Sequence, residues 1–185
     1  YSSLISGDEG RTLFCVYPLT RTSGFTMYLP DHENGGAMAQ GRFVHDRSMW
    51  LPPLAVDPRD PTTAYLGAGS DESTVAKVYS FAYVGGDRLK VDSLGHDFTP
   101  GQSGSNITAI HISASQPDMW YVVTGNGLFW VSTNAGSSWD LKDRPEEFEN
   151  NNFYGTNSLA THPDNASVVY MSGNGYNGRD AVWVS

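Results

Sequence analysis

The stretch Gly127-Leu128-Phe129-Trp130-Val131-Ser132-Thr133-Asn134-Ala135-Gly136-Ser137-Ser138-Trp139 decides the architecture of this chain. It reads as an apolar strand, a tight polar turn containing glycine, and a tryptophan three residues past that glycine. Ser132 and Asn134 carry short side chains whose oxygens accept hydrogen bonds from backbone amides just downstream, closing the turn on itself. Gly136 takes the left-handed backbone that a residue with a Cβ resists. Trp139 returns a large apolar surface to the hairpin, with one N–H that needs an acceptor.

The same unit recurs. Leu54 to Tyr65, Ile110 to Tyr121 and Leu159 to Tyr170 align without gaps. Each reads as a strand, a polar Pro/Asp/Asn turn, and a second strand ending in tyrosine, with glycine following. Proline and Asx residues favour the turn and oppose continuing either strand through it. A further apolar run follows each unit: Lys77 to Val84, Gly127 to Val131, and Ala181 to Ser185. A period of about 50 residues, with four short strands per unit, is the signature of propeller blades.

A weaker unit precedes these. Thr12 to Tyr17 and Gly24 to Leu29 read as paired strands, and Asp31 to Met38 as a degenerate copy of the turn, with Met38 at the tryptophan position. Val84 to Arg88 is a plain glycine turn. The expected organisation is a degenerate blade over 1–49, a blade over 50–105, a blade carrying the full turn over 106–155, and a partial blade over 156–185. That is an all-β, incomplete arc of about three to four blades, while closed propellers use about four to eight. The sequence is therefore expected to be a piece of a longer chain.

Composition agrees with an all-β chain that works outside the cell. Twenty glycines, ten prolines and only 17% charged residues leave no convincing amphipathic helix. No apolar run approaches the roughly 18 residues of a membrane span. The net charge of −9 opposes nucleic acid and anionic membranes, which need a basic surface. Cys15 has no partner within the sequence and reads as an inert thiol in an apolar strand. The five histidines lack the paired spacing that zinc needs, so no metal site and no cofactor is expected.

The Ser132, Asn134, Gly136 and Trp139 pattern resembles the Asp-box, S-x-D-x-G-x-x-W, with asparagine at the aspartate position. The chain is similar to the Asp-box (BNR-repeat) β-propellers. That group includes sialidases, xyloglucanase-type glycoside hydrolases, sortilin-like receptors, photosystem assembly factors and secreted bacterial surface proteins. The resemblance implies that Ser132, Asn134, Gly136 and Trp139 are structural, on the rim opposite the ligand-binding face. It directs attention to loops 69–75, 125–127, 143–155 and 173–180 instead.

Those loops supply the candidate site residues. Asn150, Phe153, Tyr154, Tyr176 and Arg179 offer the rings and hydrogen-bonding groups that suit a sugar ligand. Asp71, Glu146 and Asp180 are candidate catalytic carboxylates, because glycoside hydrolysis uses two acids across the scissile bond. No catalytic motif surrounds them, and the arginines are too scattered for a sialidase. The sequence reading therefore favours a non-catalytic extracellular module for binding, adhesion or assembly. Its partners are the rest of its own propeller and either a polysaccharide or another surface protein. The alternative is a carbohydrate-active hydrolase of the endo-glucanase or xyloglucanase type.

Overall fold

Period-two alternation of apolar and polar residues sets the elements. A computed structural model describes residues 3–17, 22–29, 37–44, 52–68, 75–101, 106–142, 154–174 and 182–184. Among them every regular element is a strand, and four antiparallel meander sheets follow one another along the chain. The first sheet holds β1 (Ser3–Ile5), β2 (Leu13–Tyr17), β3 (Thr22–Leu29) and β4 (Ala37–Val44). The second holds β5 (Leu54–Asp57), β6 (Asp60–Ala68), β7 (Lys77–Tyr83) and β8 (Leu89–Ser93). The third holds β9 (Ile107–Ile112), β10 (Trp120–Thr124), β11 (Phe129–Ser132) and β12 (Asp140–Lys142). The fourth holds β13 (Tyr154–His162), β14 (Asn165–Asn174) and β15 (Val182–Val184).

The three aligned tyrosines occupy one structural position. Tyr65 lies opposite Ala55, Tyr121 opposite His111, and Tyr170 opposite Ala160, each on the second strand of its sheet. The sequence repeat is the structural repeat. First strands also meet in order along the chain, β1 against β5, β5 against β9 and β9 against β13, while β4 meets β8 at the outer side. Successive sheets thus stack face to face around an inner row of first strands, as an incomplete β-propeller.

Each sheet has two faces, and the core sits in the seams between sheets. Ala64, Leu66 and Ala68 of β6 point at Phe14, Val16 and Met27 of the first sheet. The intervening Tyr65 points the other way, its ring edge-on to Trp120 at 4.4 Å. β10 is buried at all five positions because both its faces are covered. Trp120 and Val122 pack towards Ala55 and Val78 of the second sheet. Tyr121 and Val123 pack towards Leu159, Val169 and Met171 of the fourth. The sheets approach closely at Gly67, where a Cβ would stand 2.5 Å from Ile107 Cγ2. Its amide donates to Pro53 O at 3.0 Å, tying β6 to the chain entering β5.

The first sheet departs from expectation at its turns. The paired strands appear as β2 and β3, with Phe14 opposite Met27 and Cys15 opposite Thr26. Cys15 is half-buried and free. Residues 31–36 of the expected degenerate turn lie outside the described residues, and Met38 belongs to β4, opposite Tyr28. A serine-anchored turn of the kind read at Ser132 instead joins β1 to β2, at Ser6 to Thr12.

Candidate functional site

The inner row of first strands borders a cleft of about 440 Å³. Most of the residues around it are aliphatic, Val56 and Ile110 among them, because the small and branched side chains of the first strands meet there. Ser6, His111 and Ser158 supply side-chain polarity, and among the described residues no carboxylate, lysine or arginine lines it.

His111 is the titratable group of this cleft. It stands on β9 and reaches across the seam to β13, where its Nε2 accepts the Thr161 amide at 3.2 Å. An accepting Nε2 places the imidazole proton on Nδ1. The Thr161 hydroxyl lies 3.1 Å from the same nitrogen and also reaches Ser113 Oγ at 3.3 Å. Burial pushes the imidazole below its usual pKa, so the cleft carries a neutral ring at neutral pH. The ring therefore offers hydrogen bonding without a formal charge. Among the described residues the cleft holds no acid pair.

The Ser132 turn spends its polar groups on itself. Ser132 Oγ accepts the amides of Asn134 and Gly136 at 3.3 and 2.9 Å, and its hydroxyl donates to Asn134 Oδ1 at 2.9 Å. Asn134 Oδ1 also accepts the Ser138 amide at 2.9 Å, and Trp139 Nε1–H donates to Gly136 O at 3.1 Å. The Ser6 turn repeats this pattern. Ser6 Oγ accepts the Gly10 amide at 2.9 Å, and Asp8 Oδ1 accepts the Thr12 amide at 2.7 Å. Backbone angles match as well: Glu9 and Ala135 have φ of 60° and 53°, and Gly10 and Gly136 have 90° and 78°. The sequence signal was available in the Ser6-x-Asp8-x-Gly10 spacing, with Leu13 standing where Trp139 stands.

Trp139 caps an aromatic seam between the second and third sheets. Its ring lies 4.8 Å from Phe98, and His96 lies 4.6 Å from Trp130, both edge-on. Trp130 Nε1–H donates to Phe98 O at 3.0 Å. Burial lowers the His96 pKa, and the neighbouring Asp97 only partly opposes this. At the same rim, Tyr65 donates to Asp57 at 3.4 Å; burial and then the Asp57 charge push its phenol up to about 12.

In a meander sheet the first and third hairpins open on one rim and the second on the other. The Ser6, Asp57 and Ser132 turns therefore share a rim, opposite the Gly125–Gly127 turn between β10 and β11. In that turn the Thr124 hydroxyl donates to Asn126 Oδ1, and the Gly125 amide donates to Asn106 O at 2.8 Å. Asp71, Glu146, Asp180, Asn150, Phe153, Tyr176 and Arg179 lie outside the described residues. Tyr154 opens β13, with its backbone opposite Asn174.

The sequence matches no family model and no curated protein. Among solved structures, a GH74 enzyme from Niastella koreensis superposes on 98% of the chain with a TM-score of 0.61 at 15% identity. A GH74 xyloglucanase from Xanthomonas campestris covers 87% of it with a TM-score of 0.54 at 12% identity. The likeness is one of fold. This chain spans 27% and 25% of the lengths of those two enzymes. Neither the cleft nor His111 was anticipated from sequence. His111 replaces an alanine of the repeat, Ala55 or Ala160, and that substitution was the signal for it.

Proposed function

We propose that this chain is a propeller segment of an extracellular, polysaccharide-acting protein of the glycoside hydrolase type. The observation carrying this reading is the superposition of nearly the whole arc on the propeller of a GH74 enzyme. In this reading the Asp-box residues Ser132, Asn134, Gly136 and Trp139 hold a blade together, and the opposite rim meets the polymer. Asp71, Glu146 and Asp180 are the candidate acids, with Asn150, Phe153, Tyr154, Tyr176 and Arg179 as sugar contacts. Hydrolysis needs one carboxylic acid to protonate the leaving oxygen and a second carboxylate on the other side of the bond. Among the described residues the inner cleft has no such pair, so this reading assigns the reaction to the loops.

That same feature favours a second reading, a non-catalytic polysaccharide-binding module. Incubating the full-length protein with xyloglucan and mixed β-glucans, and measuring reducing ends, separates the two. The hydrolase reading expects release that drops by at least about a hundredfold in one of Asp71→Asn, Glu146→Gln or Asp180→Asn. Retention on the polymer without release would leave the binding module. Neither release nor retention would sink both.

A further inference from the structure

All four sheets contribute to the cleft beside the first strands. Ile5 comes from the first sheet, Leu54 and Val56 from the second, Ile110 and His111 from the third, and Leu159 from the fourth. Its volume of about 440 Å³ falls within the range of about 300–1,000 Å³ that small-molecule sites occupy. Among the described residues no phenylalanine, tyrosine or tryptophan lines it, so it offers a sugar ring nothing to stack on.

Two kinds of polar group border this cleft. The first is the His111 ring. A backbone N–H can only donate, so the 3.2 Å bond from the Thr161 amide to Nε2 fixes the ring proton on Nδ1. Among the described residues nothing accepts that Nδ1–H. The second is the inner edge of β9, the last strand on that side of its sheet. Ser113 N–H donates to Met119 O at 3.0 Å, beside the Ile112–Trp120 pair. Bonded and non-bonded pairs alternate along an antiparallel ladder. His111 and Ala109 therefore spend their backbone groups on β10, while Ile110 and Ile112 turn theirs towards the cleft.

We propose that the cleft binds a small uncharged carbonyl compound with an aliphatic body, held through its oxygen by the His111 Nδ1–H. A carbonyl oxygen accepts without bringing a donor of its own, which suits a site whose fixed side-chain group is a donor. The first strands surround the rest of the molecule with small and branched side chains. Charge decides against the other classes. Burial keeps His111 neutral, so an anion finds no cation there. A cation finds no carboxylate among the described lining residues. This ligand is distinct from a polymer bound at the rim, and its site stands whether or not the chain acts on polysaccharide.

Ligand-observed NMR on the full-length protein tests this with three probes that share one aliphatic ring: cyclohexanecarboxamide, cyclohexanecarboxylate and cyclohexylmethylammonium. The amide should bind saturably, and the two ions at least about tenfold more weakly. His111→Phe removes the donor and should weaken the amide roughly five- to tenfold. Ala114→Trp, at an exposed lining position, should weaken it at least as much by filling the mouth of the cleft. The second variant gives the answer even where the first fails to fold. No saturable binding of the amide, equal binding of the three probes, or an amide affinity unchanged in either folded variant overturns the proposal.

Discussion

Gly10 and Gly136 occupy the same left-handed position in two copies of one turn, but their surroundings differ. A Cβ at Gly10 meets nothing within 4 Å, whereas one at Gly136 comes within 3.1 Å of Trp120 Cζ3 and 3.3 Å of Leu94 Cδ1. Gly10→Ala should therefore cost only backbone strain, about 1 kcal/mol, and Gly136→Ala about 2–3 kcal/mol through added overpacking. Chemical denaturation of the two variants checks this, and equal losses would contradict it. Asn134→Asp should stay within about 0.5 kcal/mol, since Asp8 already fills that position in the sister turn. Such turns are legible in sequence because their bonds are local, side chain to backbone over two to four residues. The Ser6 copy escapes a reading keyed to tryptophan, because Leu13 replaces it and β1 is only three residues long.

At the scale of strands and seams, packing outweighs charge. Arg59 bridges the second and third sheets by a 2.7 Å contact to Asp118, yet both side chains are about half exposed. Removing that pair should cost at most about 1 kcal/mol. Trp120→Ala, in the same seam, should cost about 3–5 kcal/mol. Acid weakens these seams further. Burial holds His96 and His111 below the ordinary imidazole value of about 6.5, so the unfolded chain binds protons first as pH falls. Their contribution is complete above about pH 6.5 and is lost on acidification below it. Tm measured from pH 7.5 to 5 should fall more steeply in the parent than in His96→Phe/His111→Gln, and parallel curves would refute this. The strands were legible because alternation and the tyrosine register are periodic. His111 was not, since its partner Thr161 meets it only after sheets three and four stack.

On the scale of the whole molecule, the arc was readable from its period of about 50 residues, because a sheet with two apolar faces demands neighbours on both sides. The loops on the opposite rim carry no such period, and their candidate acids rest on residue type alone. Net charge gives an independent handle on the ligand. A chain at −9 repels anionic polymers, and salt weakens that repulsion as the screening length falls from about 10 Å at 0.1 M to about 3 Å at 1 M. A neutral polysaccharide, held by hydrogen bonds and ring contacts, should bind the full-length protein with Kd changing less than about twofold over that range. A carboxylated polymer should bind weakly at low salt and tighten as salt rises. Calorimetric titrations with both polymers at several salt concentrations read the two trends directly. Tight, salt-weakened binding of the anionic polymer would require a basic face that these 185 residues do not supply, and would count against a neutral polysaccharide as the ligand of the proposed function.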